Sequence, residues 1–184
     1  MSLRRVAVLC AAGESYYHHI RGVVVYDKAT DARNFPGGMP VIAHPPCRAW
    51  SQSCSQLANP SPGEKELGIW CAEQVKTWGG ILEQPARSKL WDVCGLPKPD
   101  FACRADIWAA EVWQAWWGYS MMKRTWLLFV GIAPSEVQFP FQLHAKGADK
   151  RRFQLMSQTE RSRTVPFLAK WLVANARKTK GGAA

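Results

Sequence analysis

The chain has 184 residues, 47% hydrophobic and 21% charged, which suits one ordered domain and excludes a disordered or low-complexity chain. No apolar run approaches the ~18 residues of a membrane span, and the start does not read as a secretory signal, so the expectation is a soluble, cytoplasmic protein with no membrane contact. The net charge of +10 is uneven: residues 1–100 hold 11 Lys and Arg against 9 acids, leaving most of the excess in residues 101–184. A one-sided basic excess suits a polyanion, and DNA is the expected partner.

Arg5 to Leu9 reads as a first strand, and Val23 to Asp27, β-branched and ending on an acid, as a second. A turn-rich loop leads to a third strand over 40–44, which Pro45-Pro46 ends. Ser61, Pro62 and Glu64 look like the cap, first position and capping-box acid of a helix whose apolar residues run from Leu67 to Trp78. Gly79-Gly80 ends that helix, and Ile81-Leu82 starts a fourth strand. Residues 105–117 mix helical and strand character, 125–132 read as a strand, and Phe167 to Ala174 as a closing amphipathic helix. One α/β domain over 1–176 is expected, with 177–184 as a flexible basic tail. Its architecture is expected to be an open, mostly parallel twisted sheet flanked by helices, of a Rossmann-like, methyltransferase type, with ligands at the carboxyl ends of the strands.

The six cysteines are scattered, and no pair has the spacing of a zinc site, so no metal is expected. His18, His19 and His144 lack partners at ligand spacing and read as surface residues. Two segments carry chemistry. In His44-Pro45-Pro46-Cys47-Arg48, the prolines present Cys47 at a strand end, where a neighbouring cation favours the nucleophilic thiolate. In Ile81-Leu82-Glu83-Gln84-Pro85, a second strand ends on a carboxylate able to act as proton donor or hydrogen-bond partner. The ten tryptophans read chiefly as core, with Trp50, three residues after Cys47, as an aromatic suited to stacking on a base.

These segments resemble the DNA cytosine-5 methyltransferases. Val41 to Gln52 resembles their nucleophile segment, and Ile81 to Pro85 their Glu-Asn segment. Residues 117–128 resemble the Arg-x-Arg segment, and Arg163 to Ala169 the closing Val-Pro stretch, all in the family's order. The resemblance implies a nucleophilic Cys47 that attacks carbon 6 of a flipped cytosine. It implies a protonated Glu83 on ring nitrogen 3 and Arg124 as a further catalytic residue. It assigns Cys10, Gly13, Asp27 and Pro45 to S-adenosylmethionine, and Arg48, Trp50, Ser51, Lys123, Lys150, Arg151 and Arg152 to nucleic acid. The loop after the first strand has a single glycine, Met121-Met122 stands in the Arg-x-Arg segment, and about 30 residues separate the last strand from the closing helix. That interval has no room for a target-recognition domain. The likeness is thus to a minimal phage- or prophage-type relative, with a protein partner supplying target recognition. Two alternatives stand beside it. One is a related enzyme with another one-carbon donor or a nucleotide substrate. The other is a non-catalytic relative that binds DNA or protein, for example in anti-restriction.

Overall fold

A computed structural model describes residues 3–50, 60–99, 106–140, 156–157, 160 and 163–181. Six strands form one sheet: β1 (Val6–Leu9), β2 (Val23–Tyr26), β3 (Val41–Ala43), β4 (Gly80–Pro85), β5 (Ile107–Trp113) and β6 (Arg124–Val130). Their spatial order is β2-β1-β3-β4-β6-β5. The first four are mutually parallel, and β6 runs antiparallel to both β4 and β5. The sheet is therefore mixed, which corrects the expectation of a mostly parallel one. The cause is the short link between β5 and β6. A single 3-10 turn at Gln114–Trp117 and a few further residues cannot form the crossover that a parallel return needs, so β6 folds back beside β5.

The pleat sorts each strand's side chains onto two apolar faces. Val6, Val8, Ile42, Ile81, Leu127 and Phe129 face the helix α3 (Pro166–Ala176), whose Leu168, Leu172 and Val173 complete that layer. Ala7, Leu9, Val41, Ala43, Leu82 and Leu128 face α1 (Glu64–Trp78) and the short α2 (Leu90–Val93) on the other side. The tryptophan group serves packing. Trp108 stacks on Phe129 with centroids 4.3 Å apart, and Trp117 lies 4.9 Å from Trp171.

α1 starts later than the sequence signals suggest. Gly63 precedes it in the left-handed conformation (φ 81°), and Ser61 contributes its carbonyl, not its hydroxyl, to the first turn. The step from α1 into β4 depends on glycine: a Cβ on Gly80 would stand 1.9 Å from the Val41 carbonyl oxygen, at a φ of 131°. Residues 177–181, set aside above as tail, are packed onto the domain. Lys180 N–H donates to the Gly131 carbonyl at 2.6 Å, Thr179 is fully buried, and Arg177 binds the Arg4 and Arg21 carbonyls. No helix among the described residues is long and apolar enough to cross a membrane.

Candidate active site at the carboxyl edge of the sheet

The chain leaves β1 for β2 on one side and returns to β3 on the other. The strand order thus reverses at β1, the place where open α/β sheets take ligands, outside the carboxyl ends of β1 and β3. Cys10 to Gly13 follow β1, Asp27 follows β2, His44 to Cys47 follow β3, and Glu83 lies near the end of β4. All therefore gather on one edge.

Cys47 is exposed, in a turn closed by Trp50 N–H donating to the Cys47 carbonyl at 3.0 Å. The loop is fixed twice more. Gln84 Nε2 donates to the Pro45 carbonyl at 2.6 Å, joining it to β4, and Lys89 N–H donates to the Trp50 carbonyl at 2.8 Å. Trp50 itself is buried, which corrects its reading as a base-stacking surface. Its indole occupies a notch in α1 at Gly68, where a Cβ would stand 2.4 Å from Nε1. Trp50 thus anchors the Cys47 turn from beneath.

Glu83 is buried in a polar cluster drawn from five segments. His44 Nδ1 lies 3.0 Å from Oε2, Gln114 Nε2 donates to Oε1 at 2.9 Å, and Lys123 Nζ stands 3.8 Å from Oε1. Behind them, the Tyr17 hydroxyl is 2.9 Å from His44 Nε2, and Gln114 Nε2 also reaches Thr125 Oγ1 at 3.0 Å. Burial alone would raise the carboxyl pKa. The Lys123 charge and the bonds from His44 and Gln114 outweigh it and hold the pKa down at about 2. Glu83 is therefore a carboxylate at rest, which corrects the expectation of a protonated donor. A carboxylate offers about four lone-pair positions. Hydrogen bonds take two of them, so acceptor capacity remains for a ligand.

Lys123, and not Arg124, joins this cluster. Thr125 faces Glu83, so the pleat turns Arg124 and Trp126 to the opposite face. There Arg124 pairs with Glu111 at 2.6 and 2.9 Å and lies over the Trp113 ring. The catalytic assignment of Arg124 is corrected accordingly. Arg48 pairs with Glu64 and reaches Ser61 Oγ at 3.5 Å, so its charge is matched within the chain.

The residues assigned to a cofactor follow β1, β2 and β3 at this edge. Cys10 is left-handed (φ 60°), a backbone conformation that glycine ordinarily supplies. Its Sγ lies 3.7 Å from Cys71 Sγ, and a side chain at Gly13 would meet nothing within 4 Å. Asp27 Oδ1 accepts from Ala29 N–H, Thr30 N–H and Thr30 Oγ1. Those bonds, led by the Thr30 backbone, lower its pKa, while Oδ2 faces His18 Nε2 at 3.9 Å. Pro45 is buried, and its carbonyl is already taken by Gln84. Ser51, Lys150, Arg151 and Arg152 lie outside the described residues, as do Cys103 and His144. Among the described residues no cluster could hold a metal ion.

Sequence reasoning missed Tyr17, Gln114 and Thr125 as members of the site, and took His44 only as a neighbour of Cys47. The available signal was a histidine and a glutamine at strand ends, where burial obliges them to find partners. No protein-family model, no curated protein and no solved structure matches the chain.

Proposed function

We propose that the chain modifies a nucleic-acid base through a covalent Cys47 adduct, in the manner of cytosine-5 methyltransferases. One observation carries the reading. An exposed thiol and an anchored carboxylate leave adjacent parallel strands, and Gln84 ties the two strand ends together. A pyrimidine presented at this edge meets a nucleophile for carbon 6 and, at Glu83, an acceptor for its amino group. The strand-order reversal at β1 supports a cofactor there.

In this reading the Cys47 thiolate adds to carbon 6, and electron density moves toward ring nitrogen 3. Glu83 accepts from the exocyclic amino group and holds the ring against the thiol. The Lys123 ammonium beside it offsets the charge that develops on the ring. Asp27 and the 10–13 backbone are the groups that would hold S-adenosylmethionine. When bound, it supplies an electrophilic methyl. Loss of the carbon 5 proton to solvent, with departure of the Cys47 thiolate from carbon 6, restores the aromatic ring. The base must leave a duplex to reach such a site. The basic excess of residues 101–184 would hold the phosphates.

The test is product analysis. DNA incubated with the protein and labelled S-adenosylmethionine is digested to nucleosides and resolved by mass spectrometry. 5-Methylcytosine from wild type and none from Cys47→Ser supports the reading. No modified nucleoside from single- or double-stranded DNA contradicts it.

A further inference from the structure

Two contacts hold the His44 imidazole between Tyr17 and Glu83. Tyr17 is buried, and its pKa is raised by that burial and by the Glu83 charge, so it keeps its proton. Its hydroxyl meets His44 Nε2 at 2.9 Å. Glu83 is ionised and can only accept, so His44 Nδ1 carries the proton and donates at 3.0 Å. The imidazole has the Tyr17 ring beside it, with centroids 5.5 Å apart, and its side chain is only 10% exposed.

We propose that His44 is a positioning residue for Glu83, fixing the carboxylate through Nδ1–H while Tyr17 fixes the imidazole. The inference rests on the function proposed above and adds a requirement to it: the orientation of Glu83, and not merely its presence, governs the reaction. Gln114 and Lys123 both address Oε1, which leaves Oε2 to His44. Without that bond only Oε1 is held, and the carboxylate is less restrained about its last torsion, a broad one for glutamate. The groups that face His44 are Tyr17 from the turn after β1 and Glu83 from β4. Gln114 and Lys123 stand behind Glu83, and Cys47 is three residues along the same loop.

The experiment measures tritium release from DNA carrying [5-³H]cytosine, with S-adenosylmethionine, across pH. It compares wild type, His44→Ala, His44→Asn and Tyr17→Phe. Carbon-13 NMR of the Glu83 carboxyl is recorded in parallel on each. Loss of an orienting partner should lower kcat by about 10–100-fold and change KM less, with a Glu83 titration moved upward in His44→Ala. His44→Asn places an amide N–H where Nδ1–H stands, and should recover most of the rate and the wild-type titration. Equal impairment of the Ala and Asn variants would overturn the proposal, as would a wild-type rate in His44→Ala. A wild type that releases no tritium, with the Glu83 titration still moved in His44→Ala and restored in His44→Asn, refutes the proposed function and leaves the contact itself upheld.

Discussion

Replacing Glu83 with Gln removes one negative charge from a buried polar cluster. A carboxyl whose pKa falls from 4.5 to about 2 on folding contributes about 3 kcal/mol of stability in its ionised form. Because the folded value is the lower one, that contribution is complete above about pH 4.5. It is lost as pH falls toward 2, where the unfolded chain binds the proton first. Glutamine cannot substitute well. Its amide must point an NH₂ at a donor, either His44 Nδ1–H or Gln114 Nε2, so the variant also leaves a buried donor unmatched. Urea unfolding of wild type and Glu83→Gln, measured from pH 2 to 7, tests this. The gap between them should be about 3 kcal/mol larger at neutral pH than at pH 2, narrowing between pH 4.5 and 2. A gap that stays constant across that interval would refute the assignment of Glu83 as a buried carboxylate.

Alkylation by iodoacetamide near neutral pH should reach the exposed Cys47 well before Cys71, whose thiol pKa is raised by its bond to Cys10 and by burial; peptide mapping reads the order, and equal rates would contradict it. Gly80→Ala should destabilise the protein by about 3–5 kcal/mol, because the new methyl group meets the Val41 carbonyl at 1.9 Å, and a thermal melt within a degree of wild type would refute it. Lys123→Met should impair base modification more than Arg124→Ala, since only Lys123 faces Glu83; the reverse ranking in the nucleoside assay would restore Arg124 to the site. Reversing charge at Lys150, Arg151 and Arg152 should weaken DNA binding alike for all sequences and flatten its salt dependence, as phosphate contacts do; unchanged binding by fluorescence anisotropy would free that stripe of the role.

The strands were legible where short β-branched runs stand between turn residues, as in Val23 to Tyr26, and their carboxyl-end residues were correctly gathered on one edge. The reversal of β6 was not, because pairing direction follows the length of the β5–β6 link and not the composition of either strand. Lys123 and Arg124 look interchangeable in sequence. Only the pleat, fixed by the pairing of Thr125 with Pro85, sends one to Glu83 and the other to Glu111. Trp50 suggested stacking on a base because it follows Cys47 in a loop, but the indole-sized notch at Gly68 lies elsewhere in the chain and has no local signature. The state of Glu83 was misjudged for the same reason. His44 and Gln114 stand 39 and 31 residues away in sequence, and a strand-end acid gives no sign of who will surround it.

The central claim is that Cys47 adds covalently to a pyrimidine, and DNA containing 5-fluorocytosine tests it most directly. Fluorine at carbon 5 cannot leave as a proton does, so an adduct that forms will accumulate. The account predicts an intact-mass shift equal to the bound oligonucleotide in wild type with S-adenosylmethionine, mapped to Cys47 and missing from Cys47→Ser. A wild-type protein that stays unmodified under those conditions, while folded and bound to the DNA, would contradict it.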